Sequence, residues 1–308
     1  MKHEHIEIPS HVGIGGEFRA VLQNSDGSIA YDSGWNHNQI QDNGLFIYGD
    51  TAQNAWYTKC WAGSSNTGLP PVTQTAMTSV LGESTSSSEG SPSTPSAGNN
   101  YVRSQIKTYV FPAGVATGTV RQIAIGPTST SMFAIHVLPA AIVKAVNQTL
   151  NVSYRFNMYP SLVSNTVSAV IGGVTYDCES SFFELLFDNY SVFREAAVAN
   201  GNNNYTGCYT GVAATLEEVN PAGSYLGGTQ TIPSIVYGTG FIDYTYLYSI
   251  NQANGTIRTA KSYLSHGNFF TQTQFTATDG AGIGGGIPKG SEFELTLSRR
   301  TTWGRYTP

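Results

Sequence analysis

Charged side chains are scarce in this chain: Asp, Glu, Lys and Arg together make up 11% of 308 residues. An ordinary soluble domain carries about a quarter. The 15 Lys and Arg fall short of the 20 Asp and Glu, leaving a net charge of −5. A chain without a basic surplus lacks the footprint of a phosphate-backbone binder, so no nucleic-acid partner is expected. Cysteine is equally sparse. Cys60, Cys178 and Cys208 show neither CxxC nor Cys/His spacing, which argues against a zinc module and against a disulfide framework. They are expected to be reduced and buried, with a Cys178–Cys208 bridge as the alternative. No apolar run approaches the roughly 20 residues that span a bilayer, so no membrane insertion is expected. The opening MKHEHIEIPSH has no apolar leader core, which points to synthesis in a cytoplasm. The Asn-x-Ser/Thr matches at Asn147, Asn151, Asn189, Asn204 and Asn254 then reflect composition, not glycosylation.

What replaces charge is Asn, Gln, Ser and Thr, with 34 glycines and 18 tyrosines. That balance suits an all-β protein with many tight connections, and surfaces that pack against other subunits without desolvating charge. The stretch from Tyr109 to Pro160 carries the pattern best. Three β-branched, apolar segments are separated by Gly-, Pro- and Ser/Thr-rich breaks, as successive strands would be. In the last, Leu150, Val152, Tyr154, Phe156 and Met158 fall on one face and Asn151, Ser153, Arg155 and Asn157 on the other, the alternation of a half-buried antiparallel strand.

The chain divides by composition. Residues 1–16 read as an extended arm ending in Gly13-Ile14-Gly15-Gly16, and 17–164 as a β domain. Within it, Phe18, Ala20 and Leu22 alternate into an Asp26-Gly27 hairpin turn that returns through Ile29 and Tyr31,. Asn36–Leu45 predicts one or two helical turns stopped by Asn43-Gly44, and Trp56–Ala62 predicts a strand. The Ser-rich segment 82–100 reads as a surface loop able to act as a contact arm. Residues 165–308 form a second, β-rich domain. Its strands are Val167–Tyr176 with a Gly172-Gly173 turn, Ile232–Tyr237, Phe241–Ile250, Thr256–Leu264 and Phe293–Leu297,. Ser181–Ala199 predicts one helix, from a Ser181/Glu184 capping box and Phe183, Phe187, Tyr190 and Phe193 at helical spacing,. The fold class is therefore mainly β, with antiparallel β-sandwich-like domains and one helix in the second.

Chemistry is thin. Gly280-Ala281-Gly282-Ile283-Gly284-Gly285 spells GxGxxG, but Gly286-Ile287-Pro288 after it is a poor helix start, and a dinucleotide cradle needs that helix. His3-Glu4-His5 with Glu7 and His11 offers metal-ligand types without a ligand motif. Glu217-Glu218 and the Asp177/Glu179 pair read as solvated charges rather than paired glycosidase acids. No GxSxG, HExxH or Walker pattern is present, so no catalytic residue, cofactor or metal is assigned and no enzyme is expected. Tyr244, Tyr246 and Tyr248 share a face of one strand,. Such a ladder packs in a core or a subunit interface, or stacks on a glycan.

Several segments, in order, resemble tailed-bacteriophage virion structural proteins of the tail and tail-fibre type. They are Ser33-Gly34-Trp35 through Asp42-Asn43-Gly44-Leu45, Ala62-Gly63-Ser64-Ser65-Asn66-Thr67-Gly68-Leu69-Pro70-Pro71, Phe111-Pro112-Ala113-Gly114-Val115-Ala116-Thr117-Gly118-Thr119-Val120 with Ile123-Ala124-Ile125-Gly126, Leu150–Pro160, and Trp303-Gly304-Arg305. The resemblance spans most of the chain, and the Ser-rich loop and the helix lie outside it. It implies a non-enzymatic virion component made in a host cytoplasm, multimerising with copies of itself and with other virion proteins in the tail, baseplate or fibre-attachment region. Two other readings stand beside it: a receptor-binding tail protein that holds a host surface glycan, and a capsid decoration or head-fibre protein.

Overall fold

A computed structural model describes residues 2–49, 56–85, 87–91, 96–97, 100–160, 165–184, 206–212, 221–227, 231–238, 240–264, 269–278 and 285–306. The chain is mainly β, built from several antiparallel sheets, with one helix among the described residues. It splits into two compact units. The N-half unit holds Gly13–Tyr159 and the chain from Gly304; the C-half unit holds Met1–Val12 and most of Pro160–Trp303.

The first strand, β1 (Lys2–Gln23), contributes its residues to Val12 to the C-half unit and those from Gly13 to the N-half unit. The expected loose arm is thus an ordered strand. Ile6, Ile8, Val12 and Ile14 are each at most 5% exposed, because their period of two puts every apolar side chain on one face. The N-half unit continues with β2 (Ile29–Asp32), β3 (Asn36–His37), β4 (Gln39–Ile40), α1 (Asp42–Gly49), β5 (Cys60–Gly63), β6 (Val80–Ser84), β7 (Ser87–Glu89), β8 (Ser96–Ala97), β9 (Asn100–Tyr101), β10 (Arg103–Phe111), β11 (Gly118–Ile125), β12 (Ala134–Lys144) and β13 (Thr149–Pro160). β1 and β2 form the expected hairpin, with Leu22 opposite Tyr31 and Gly27 at φ +84°. β13 follows in the order β1-β13-β10-β7, and a second sheet runs β4-β12-β11-β5-β6.

The two sheets of this unit enclose an aromatic core. Leu150, Val152, Tyr154, Phe156 and Met158 are fully buried, as their alternation predicts. Phe156 meets Phe133 at 6.0 Å and Trp56 at 5.1 Å between ring centroids, and Phe133 meets Trp56 at 4.2 Å. The outward residues of β13 find polar partners: Arg155 pairs with Glu17 at 2.9 Å and lies over the Trp35 ring.

Three local expectations for this unit need correction. The helix begins where a stop was expected: Asn43 and Gly44 sit in the first turn of α1, behind Asp42, whose carboxylate suits a helix N-terminus,. Gly44 is there because its backbone abuts the Phe133 carbonyl, leaving no room for a Cβ. Trp56–Thr58 is a turn, and strand pairing starts only at Cys60. The Ser-rich loop carries strand pairing of its own. β6 pairs with β5 and β7 with β10, and Glu89 holds Lys107 at 2.7 Å.

Across the core, His136 on β12 makes a 3.0 Å Nδ1 hydrogen bond with the His37 carbonyl and stacks on Phe18. Burial pushes its pKa below the ordinary 6.5, and the carbonyl contact offsets part of that. The unfolded chain therefore takes up a proton at a higher pH than the folded one. This contribution to stability is intact above about pH 6.5 and is lost as pH falls toward the folded-state pKa. Urea midpoints at pH 7.5 and pH 5 are expected to drop further in the wild type than in His136→Gln. Equal drops would show that His136 does not carry the dependence.

The C-half unit adds β14 (Asn165–Ile171), β15 (Val174–Glu184), β16 (Thr206–Tyr209), β17 (Thr231–Gly238), β18 (Phe241–Tyr248), β19 (Gly255–Ile257), β20 (Thr259–Leu264), β21 (Phe269–Ala277), β22 (Ile287–Lys289) and β23 (Phe293–Arg305). One sheet runs β14-β15-β21-β20-β16, and β17, β18, β23 and β1 are paired in that order. Gly172 and Gly173, at φ +61° and +85°, close the β14–β15 hairpin, the two positive values that a type I′ turn requires. The predicted helix from Ser181 to Ala199 fails at its start. Ser181–Glu184 is the end of β15, in register with Phe269–Gln272 of β21; residues 185–199 lie outside the described residues. Ser and Phe are weak helix formers, and nine paired positions with β21 outweigh a local capping pattern.

Candidate functional site

The tyrosine ladder falls on β18, between β17 and β23. Tyr244, Tyr246 and Tyr248 share one face as predicted, and that face is interior: each is 1% exposed. Tyr244 and Tyr246 stack at 6.4 Å between centroids. On β23 their cross-strand partners are Arg299, Leu297 and Leu295, each at most 2% exposed. Burial lowers the Arg299 guanidinium to about 10, and the neighbouring tyrosines offset part of that. Tyr248 lies against Cys208, whose thiol burial raises to about 12. The rings are therefore core, and they offer no exposed platform on which a sugar could stack.

The opposite face of the same strands is the accessible one. Arg300 donates to both Asp243 oxygens, at 2.8 and 2.7 Å, and its guanidinium lies 4.7 Å from the Phe241 ring centre. Thr245 and Ser298 hydroxyls meet at 3.2 Å. From β1, His5 Nε2 reaches Ser298 Oγ at 2.7 Å and His11 Nδ1 reaches Thr302 Oγ1 at 2.9 Å. Glu7 lies near enough to Arg300 to favour its charge, although the Asp243 hydrogen bonds dominate that shift. Neither sequence motif nor spacing marked this face, because its members come from three strands: Asp243 and Arg300 are 57 residues apart, and His5 is 293 from Ser298, so only β pairing brings them together.

The His5–Ser298 contact has the distance of a nucleophile–base pair. Among the described residues no hydrogen bond to His5 Nδ1 orients the imidazole, and a triad needs that third group. The arrangement fits hydrogen-bonding recognition of a polar surface. Of the histidine-rich start, the His3 side chain lies outside the described residues. Glu4 turns away from His5 and accepts from the Gly172 N–H, and His5 and His11 lie about 20 Å apart along the strand. No cluster of three metal-ligand types occurs among the described residues.

Other candidates resolve individually. Cys60, Cys178 and Cys208 are free and buried, so the alternative Cys178–Cys208 bridge is not formed. Asp177 and Glu179 sit two apart on β15, and Asp177 accepts from the Ser168 hydroxyl at 2.9 Å. Glu217-Glu218 and residues 280–284 of the glycine run lie outside the described residues. The next element along the chain is strand β22, paired with β19, where a nucleotide cradle would need a helix,.

A buried polar row also escaped the sequence. Ser181, Gln272 and Lys261 stand opposite one another across β15, β21 and β20, each at most 3% exposed. Burial lowers Lys261 to about 8. On β21 Gln272, Gln274 and Thr276 form the more polar side, which period-two alternation assigns to solvent, so it does not foresee that Gln272 is covered,.

No family model, no curated protein and no solved structure matches the chain.

Proposed function

We propose that this chain is a structural component of a tailed-phage virion, multimerising in the tail, baseplate or fibre-attachment region. The observation that carries the reading is the ordered set of phage-like segments from Ser33 to Arg305. They occupy framework positions rather than a reactive centre. Phe111-Pro112-Ala113-Gly114 ends β10 and turns toward β11, with Gly114 at φ +81°. Leu150–Pro160 belongs to β13, and Trp303-Gly304-Arg305 closes β23. A further support is the accessible polar face around Asp243 and Arg300, which suits reversible contact with other polar protein surfaces better than chemistry.

The decisive experiment is mass spectrometry of purified particles followed by labelling of an epitope-tagged chain in electron micrographs. Repeated label on the tail or baseplate is the expected result. Label confined to the head would move the chain to the capsid decoration class, and its absence from purified particles would overturn the reading.

A further inference from the structure

Open sheet edges are where β proteins join other chains, and most edges among the described residues are defended. β4 has two residues and β7 three, the latter ending on Glu89. β6 carries Glu83 and a register shift against β5. β17 contains Pro233 and a register shift between Thr231 and Ser234. β16 is four residues long. Short length, charge, proline and bulges are the usual devices against edge-to-edge pairing. β14 uses none of them. It reads Asn-Thr-Val-Ser-Ala-Val-Ile over 7 residues, ends its sheet, and keeps unbroken register with β15 from Asn165–Ser180 to Ile171–Val174.

The hairpin fixes which backbone groups are free. Ile171 and Val174 flank a two-residue turn, so they exchange ladder hydrogen bonds, as do Ala169, Val167 and Asn165 with their partners. Thr166, Ser168 and Val170 therefore turn their N–H and C=O groups away from β15. Ser168 behaves as a member of a non-hydrogen-bonded pair, its side chain bonding Asp177 directly across the strand. Thr166, Ser168 and Val170 are exposed, Val170 at 62%. Among the described residues no strand pairs with this edge.

We propose that β14 is a self-association edge on which a second copy of this chain pairs antiparallel about Ser168. That two-fold axis sets Ser168 opposite Ser168 and Thr166 opposite Val170. Every outward N–H then meets an outward C=O, and the isologous symmetry of a dimer is satisfied. The strand has no charge, so self-pairing brings no like charges together, and β-branched and hydroxyl pairs favour the contact. Two five-stranded sheets become one continuous sheet across the axis. The proposal names a contact that the virion reading leaves open, and it stands or falls on the purified protein without particles.

The test is sedimentation velocity of the full chain over a concentration series. Wild type is expected to self-associate. Thr166→Lys with Val170→Lys sets lysine against lysine at both outer pairs and is expected to weaken association about tenfold or more. Thr166→Glu with Val170→Glu should do the same. A one-to-one mixture of the two variants should regain the dimer as a heterodimer, because only this register brings 166 against 170. If the double lysine variant does not fold, Val170→Lys alone carries the test, since that side chain is in solvent. A wild type that stays monomeric at about 100 μM, a lysine variant that associates like wild type, or a mixture that remains monomeric would each overturn the proposal.

Discussion

Deleting Met1–Gly16 is expected to abolish folding. The segment reads as an arm in the sequence but is the greater part of β1, with β23 beside it in the C-half unit and β13 in the N-half unit. Ile6, Ile8, Val12 and Ile14 are buried. Each fully buried aliphatic side chain contributes about 1.5–3 kcal/mol, so four represent roughly 6–12 kcal/mol. That is comparable with the whole stability of a typical domain, about 5–15 kcal/mol. The deletion also strips polar partners from β23, including the Ser10 hydroxyl that meets Thr301 at 2.8 Å. The expected product is insoluble or lacks cooperative urea unfolding by circular dichroism. A truncated chain that unfolds cooperatively near the wild-type midpoint would return the segment to the status of a detachable arm. The prediction matters for function, because an assembly defect in such a truncation would report misfolding and not a lost contact.

Much of the fold was legible where local pattern and final environment agree. The alternation of Leu150 to Met158 gives β13 its buried face, and Asp26-Gly27 and Gly172-Gly173 supply the turn chemistry of their hairpins,. The errors arise where distant pairing overrides the local signal. In β1 the alternation of Ile6, Ile8, Val12 and Ile14 is plain, but the run Gly13-Ile14-Gly15-Gly16 suggested a loose arm. Those glycines answer to packing: Gly16 faces the Tyr154 ring so closely that a Cβ would collide with it, and Gly13 lies under Tyr306 and Tyr159. At Ser181–Glu184 the capping pattern predicted a helix, whereas the partner strand, about ninety residues further on, settles the conformation. The accessible face around Asp243, Arg300, His5 and His11 had no sequence signal because its residues are neighbours only across strands. The tyrosines of β18 carried the opposite problem. Their alternation was visible, but periodicity names a face without saying whether that face is covered.

Tyr246→Ala decides which role those tyrosines play. Tyr246 is 1% exposed, stacks with Tyr244 and stands opposite Leu297, itself buried. Removing a buried aromatic ring costs about 3–5 kcal/mol, the lost transfer energy plus the cavity that the surrounding sheet cannot fill. The urea midpoint of the C-half unit should fall accordingly, and Trp303, which belongs to that unit and is 4% exposed, supplies the fluorescence signal. Tyr246→Phe keeps the ring and is expected to cost far less, on the order of 1 kcal/mol for the loss of the hydroxyl. A surface glycan contact predicts the reverse pattern: stability unchanged within about 0.5 kcal/mol in both variants, with retention on immobilised polysaccharide lost in Tyr246→Ala. Arg299 sharpens the distinction. Its guanidinium is buried beside Tyr244 and Tyr246, and burial already disfavours its charge. Emptying the neighbouring space in Tyr246→Ala lets water reach that charge and offsets part of the cavity cost. Arg299→Met should therefore be less favourable in the Tyr246→Ala background than in the wild type, whereas exposed tyrosines would make the two changes independent.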